Sequence, residues 1–218
     1  MANSAINPKT KTAADEPGGQ APSLFPMFVK LQGRQCLVVG AGRIAESKIP
    51  GLLEAGGEVR VVAPDANTTV AEWARSGRIT WEPRGFQNAD LEGIFLVVAA
   101  TSLPDLNAAV FQQAQQRNIL CNAVDDPAHC DFYYPAVVRR GALQLAISTA
   151  GRSPALAQRI RRELEEQFGA EYAHWLELLG EAREDLFAQD IDPEQRRQLL
   201  HRLASRESFA SAVKGGTQ

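Results

Sequence analysis

The stretch that most restricts the fold is "QCLVVGAGRIAESKIPGLL", Gln35 to Leu53. It opens as a short apolar run with the character of a buried strand. Gly40-x-Gly42-x-x-Ala45 follows, and Ala45, Ile49, Leu52 and Leu53 then recur at helical spacing until Gly56-Gly57 stops the helix. Gly40 permits a tight turn, and Gly42 lets a ligand's phosphates come close to the backbone. Ala45 is small enough for the helix to pack against the strand, and the helix start offers N–H groups to an anion. Strand, glycine turn and helix in this order read as a dinucleotide-binding loop. The plainer alternative is a tight turn with no ligand.

The same grammar repeats. "EVRVVAP" (58–64), "ITWEP" (79–83), "IFLVVAA" (94–100) and "ILCNAV" (119–124) read as further strands. Between them lie helical patterns carrying Val70, Trp73 and Ala74, and then Leu106, Ala109, Val110 and Ala114. Strands apolar on both faces and alternating with helices predict a Rossmann-like, doubly wound parallel sheet. The connection 84–93 is short for a parallel crossover. After Phe132 the pattern changes: "FYYPAVV" and "ALQLAIST" flank Arg139-Arg140-Gly141 as an antiparallel hairpin, and helices are expected over 153–168, 170–188 and 193–206. Residues 1–22 and 211–218 read as loose tails. The domain boundaries predicted are 23–134 for the dinucleotide domain, 135–158 for the hairpin-containing segment and 159–210 for a small helical domain.

An acid is expected at the end of the second strand, where it would meet the adenosine ribose. Ala63-Pro64-Asp65 supplies one, and no arginine follows it to cradle a 2′-phosphate, so NAD is favoured over NADP. Net charge is -3, which gives no global attraction to nucleic acid or to a membrane surface. No run approaches the ~18 apolar residues of a membrane span, and the N-terminus lacks a signal-peptide core, so the cytoplasm is expected. The 3 cysteines, Cys36, Cys121 and Cys130, form no CxxC pair, and no metal site is predicted. His129, His174 and His201 are scattered and read as surface residues.

Charge is uneven along the chain. Between Phe132 and Arg162 stand 6 arginines (139, 140, 152, 159, 161, 162) and no acid. "TAGRSPALAQRIRR" adds Ser153 as an N-cap and Pro154 at the first helical position. Any one of these arginines is most simply a solvated side chain. Together they suggest a polyanionic ligand or a charged subunit interface.

The motifs "FPMFVKLQGRQCLVVGAGRIAESKIPGLLEAGGEVRVVAP", "VVAAT", "CNAVDDP" and "FYYPAVVRRGALQLAISTAGRSPALA" resemble, in that order, the siroheme-synthase module. That family comprises the precorrin-2 dehydrogenases, some of which are also sirohydrochlorin ferrochelatases. The resemblance runs from about Leu24 to Arg162 and continues loosely through the helical tail. It implies a homodimer joined through the hairpin-containing segment, NAD as cofactor, and a reduced tetrapyrrole rich in carboxylates as substrate. It also implies oxidation of precorrin-2 to sirohydrochlorin, and, in bifunctional members, ferrous iron as the substrate of a second step. No methyltransferase domain follows, so the stand-alone form of the family is expected.

Residue by residue, the resemblance makes Asp125 the catalytic carboxylate, serving hydride loss and metal insertion as a proton acceptor. Gly40, Gly42, Arg43, Ile44, Pro64, Asp65 and Thr101 fall at cofactor-contacting positions. Asn122, Arg139, Arg140, Thr149, Arg152 and Ser153 fall in the substrate-binding set, although Asn122 suits orienting its loop better than chemistry. Thr149 stands where some members carry a modified serine. Asp126 reads as a turn-capping aspartate. Dehydrogenation with or without iron insertion is not separated by these residues. A non-catalytic NAD-sensing regulatory module and a tetrapyrrole-binding carrier are the readings from outside enzymology.

Overall fold

The computed structural model describes residues 23–215. The loose tail expected over 1–22 lies outside them, as do residues 216–218. The chain divides between Tyr133 and Tyr134 into two compact units. Among the described residues no helix is long and apolar enough to cross a membrane.

The first unit holds strands β1 (Gln35–Val39), β2 (Glu58–Val62), β3 (Thr80–Glu82), β4 (Leu96–Ala99) and β5 (Leu120–Ala123). They form one parallel sheet in the order β3-β2-β1-β4-β5. Helices α1 (Arg43–Glu54), α2 (Thr68–Arg75) and α3 (Pro104–Gln115) connect them. Alternation along β1 explains why the strands look uniformly apolar. Cys36 and Val38 pack with Ala45, Ile49 and Leu52 of α1 and Val70 of α2. Leu37 and Val39 face the other way, into a core shared with Val110 and Ala114 of α3. Both faces are covered, so the strands are apolar on both sides through most of their length.

The short 84–93 connection has a specific solution. A 3-10 turn, Asn88–Leu91, carries Asp90 into the interior at 3% exposure. Arg84 grips that carboxylate through both terminal nitrogens, at 2.9 and 2.6 Å, and the Gln87 N–H donates to it at 2.8 Å. Arg60 of β2 reaches both Asp90, at 3.3 Å, and Glu82 of β3, at 3.0 Å. Two arginines and two carboxylates thus fasten the edge strand to the crossover.

The second unit begins with the hairpin β6 (Ala136–Arg140) and β7 (Leu143–Ile147), paired Arg140 to Leu143. Gly141 takes φ +55 at the first turn position, where a two-residue hairpin loop needs a positive φ. Four helices follow: α4 (Pro154–Gln167), α5 (Glu171–Ala188), α6 (Pro193–Leu203) and α7 (Arg206–Gly215). The single helix expected over 193–206 is broken, because Ser205 accepts the Ser208 N–H at 3.2 Å and starts a new helix. Residues 211–215 are consequently helical, where a loose tail was expected. Phe168, Tyr172, Trp175 and Phe209 cluster, with Tyr172 and Phe209 centroids 4.4 Å apart.

Candidate functional site

All five strands of the first unit run in one direction, so the connections after β1, β2, β4 and β5 gather along one edge of the sheet. β1 lies between β2 and β4, where the winding of the sheet reverses. Crevices at such points are where open α/β sheets take ligands.

Gly40 is required by its surroundings. Its φ is +105, and a Cβ there would lie 2.5 Å from the Ala100 carbonyl oxygen. The turn after β1 therefore presses directly on the backbone leaving β4. Gly42 is different: a Cβ on it would meet nothing within 4 Å. Gly42 is also the N-cap of α1 and brings no side-chain cap to that helix. The helix start is left open, with Arg43 and Ile44 exposed beside it, Ile44 at 40%. Ala45 is fully buried under the turn. An uncapped helix start beneath open space fits a pyrophosphate.

Pro64 and Asp65 form an exposed bend after β2. The loop beyond them is organised by Asn67, which sequence reasoning missed. Its N–H donates to the Ala41 carbonyl at 3.0 Å, and its Oδ1 accepts from Val70 N at 2.9 Å, capping α2. Its Nδ2 donates to Glu46 Oε2 of α1 at 2.6 Å. An asparagine just before a helical pattern is a cap signal, but its other partners are set by tertiary structure.

Thr101, predicted at the nicotinamide side, has its hydroxyl engaged within its own loop. It donates toward Asn107 Oδ1, at 2.7 Å, and accepts from Leu103 N at 3.1 Å. Asn107 is buried and returns a bond from Nδ2 to the Thr101 carbonyl at 3.1 Å. Thr101 thus shapes the loop after β4.

Asp125 follows β5 in a tight turn closed by Asp126 N–H to the Ala123 carbonyl at 3.2 Å. Its φ is +62, the value a type II turn requires at its third residue and usually takes from glycine or asparagine. The side chain is exposed, and among the described residues its carboxylate has no hydrogen-bond or ion-pair partner. Aspartate is among the few non-glycine residues that tolerate this region. Around it the loop is pinned. Asn122 is 6% exposed, and its Nδ2 donates to the Phe132 carbonyl at 2.7 Å. That use makes Asn122 a loop anchor. Asp126 does not cap the following 3-10 turn; its Oδ2 lies 2.6 Å from His129 Nδ1. His129, expected at the surface, is half-buried and edge-on to Phe111 of α3, centroids 5.1 Å apart. Burial, with the neighbouring Asp126 and Asp131 charges, pushes the Cys130 thiol up. Among the described residues no group of three or more His, Cys, Asp or Glu could hold a metal ion.

In the second unit the arginine window resolves into different roles. Arg140 is half-buried and caps the end of α4, donating Nε to the Phe168 carbonyl at 2.7 Å and Nη2 to the Glu165 carbonyl at 2.9 Å. Its guanidinium is thus engaged with backbone carbonyls of its own unit. Arg159 pairs with Glu163 at 3.2 Å, and Arg161 pairs with Glu165, so acids just past the window compensate two of the six. Arg139 and Arg152 are exposed. Arg152 lies in the loop before α4, where Ala150 and Gly151 take φ +50 and +78. Arg152 N–H closes that turn on the Thr149 carbonyl at 3.0 Å. Thr149 Oγ1 accepts the Ser153 N–H at 3.1 Å, and Ser153 Oγ accepts the Leu156 N–H at 3.2 Å, capping α4. Ala150 is strained there without glycine's freedom, a second outlier in a candidate loop.

Comparison with known proteins identifies the family. Residues 27–136 match the family described as "Putative NAD(P)-binding", and residues 140–167 match "Sirohaem biosynthesis protein central". The siroheme synthase of Photorhabdus laumondii subsp. laumondii is 38% identical over 192 residues, covering 88% of this chain and 41% of that protein. That of Pseudomonas entomophila is 43% identical over 173 residues, covering 79% of this chain and 37% of the relative. The chain therefore spans well under half the length of these curated relatives. The solved structure of SirC, a precorrin-2 dehydrogenase, superposes with a TM-score of 0.76 at 30% identity, over 88% of this chain and 94% of that one.

Proposed function

Because the chain belongs to the family of precorrin-2 dehydrogenases and siroheme-synthase N-terminal modules, we propose that it oxidises precorrin-2 to sirohydrochlorin with NAD. The observation that carries the reading is Asp125, a carboxylate held on a strained turn, without a partner among the described residues, on the sheet edge that also bears the open Gly42 turn. Bound there, NAD supplies the hydride acceptor. The uncapped start of α1 would hold its pyrophosphate, and Asp65 would accept from the adenosine ribose hydroxyls. Asp125 accepts the proton that leaves the tetrapyrrole as its hydride departs.

The exposed Arg139 and Arg152 provide charge for the substrate's carboxylates, with the Thr149 and Ser153 hydroxyls beside Arg152. Insertion of ferrous iron is the second reaction this site would support, with Asp125 taking pyrrole protons as the metal, a substrate, enters. Residues 135–158 are assigned to dimerisation of two identical chains and 159–210 to the helical domain, in a cytoplasmic enzyme.

An anaerobic assay with precorrin-2 and NAD tests this, following NADH and sirohydrochlorin absorbance, with ferrous iron added in a second stage. NADH formation by the wild type and its loss in Asp125→Ala are expected. A folded protein that binds NAD yet forms no NADH would instead be a sensor or a tetrapyrrole carrier.

A further inference from the structure

We infer that Glu46 is a positioning residue for cofactor choice: acting through Asn67, it fixes the loop after β2 so that Asp65 selects NAD against NADP. The inference rests on the dinucleotide reading above. Asn67 is the hub of this corner. Its three bonds, to the Ala41 carbonyl, to Val70 N and to Glu46, join the glycine turn, α2 and α1 through one residue. The first two could be made by any good N-cap. The third, at 2.6 Å, needs both the amide of Asn67 and an acceptor in the first turn of α1.

The loop after β2 carries negative charge. Asp65 is exposed in it, and Glu46 is half-buried in the first turn of α1. From Ala63 to Ala74 there is no lysine or arginine. Arg60 of β2 is taken up by Glu82 and Asp90. Arg43 is the exposed cation nearby, and it stands at the first helical position, on the phosphate side of the turn. A ribose with free hydroxyls can donate to Asp65. A 2′-phosphate would bring roughly two further negative charges toward the Asp65 carboxylate. The carboxylate of Asp65 discriminates only if its loop is held in register with the glycine turn, and the Glu46–Asn67 bond supplies that hold.

Equilibrium binding of NAD and NADP to the full chain, by calorimetry, tests the inference in wild type, Glu46→Ala, Glu46→Gln, Asn67→Ser and Asp65→Asn. Wild type is expected to prefer NAD. Asp65→Asn should narrow the preference by about tenfold, the loss of one charge-assisted bond. Glu46→Ala should narrow it by several-fold with Asp65 untouched. Glu46→Gln should restore it, because its side-chain carbonyl still accepts from Asn67. Asn67→Ser keeps a helix cap and removes the amide donor, so it should behave as Glu46→Ala does, and it serves where the alanine variant fails to fold. An unchanged NAD-to-NADP ratio in folded Glu46→Ala or Asn67→Ser overturns the inference, as does a glutamine variant that behaves like the alanine one. If wild type binds neither dinucleotide, the dinucleotide reading itself falls, and this inference falls with it.

Discussion

Asp90→Asn should be the most damaging isosteric change in the first unit. The carboxylate is 3% exposed and accepts from Arg60, from both terminal nitrogens of Arg84 and from Gln87 N–H. Asparagine keeps one acceptor oxygen but turns an NH2 toward a guanidinium, so donor meets donor in a buried place. Breaking one side of a buried pair costs about 3–5 kcal/mol, and Glu82, still in contact with both arginines, holds this case to the low end, about 3 kcal/mol. Burial alone would push the Asp90 carboxyl up. The Arg84 and Gln87 hydrogen bonds, with the charges of Arg84 and Arg60, outweigh it and hold the group below the ordinary carboxylate range. A depressed folded-state value stabilises above the unfolded-state pKa of about 3.9 and stops doing so as pH falls through the folded value. Urea unfolding by circular dichroism should therefore show the full gap between wild type and Asp90→Asn at pH 7, closing below about pH 4. A gap under about 0.5 kcal/mol at pH 7, or one that persists unchanged in acid, would refute the reasoning.

Gly40→Ala should cost at least about 2 kcal/mol and abolish dinucleotide binding, since the added methyl meets the Ala100 carbonyl and the φ is forbidden to it; thermal melts and calorimetry check both. Asp125→Gly and Asp125→Asn should leave stability unchanged, or raise it by up to about 1 kcal/mol by relieving the turn, while precorrin-2 turnover disappears. Arg140→Ala should lower stability by about 1–3 kcal/mol through loss of the α4 cap, whereas Arg152→Ala should raise KM for the tetrapyrrole and spare the melting temperature. Burial pushes the Cys36 and Cys121 thiols up to about 11 and 12, so a disulfide reagent at pH 8 should label neither until the protein is unfolded.

The parallel sheet was legible because its strands are covered on both faces. Burial of that kind writes itself into sequence as unbroken apolar runs, and the glycine turn fixed where the first crossover begins. What was not legible is whatever depends on pairing across distance. Arg60, Glu82, Arg84 and Asp90 look like four solvated charges in a row of polar residues, and only the fold of the 84–93 connection shows that they enclose one another. The break at Ser205 was missed for a related reason: helical periodicity continues through it, and a serine inside such a run gives no warning that it caps a second helix.

The arginine window shows how a composition argument can be right in direction and wrong in count. Ending the window at Arg162 hid Glu163 and Glu165, which sit one helical turn beyond Arg159 and Arg161 and pair with them. Helical spacing alone would have predicted those pairs. Arg140 is a subtler loss, because alternation along β6 turns Arg139 outward and Arg140 inward, toward the carbonyls that end α4. Two adjacent arginines of equal formal charge thus do opposite things, one presented to solvent and one closing a helix. The same sorting applies to the paired aspartates after β5. Asp126 is tied to His129, while Asp125 is turned out by a positive φ, a region that aspartate tolerates better than most residues. Glycine or asparagine would serve that turn as well, so the fold by itself does not call for a carboxylate at Asp125.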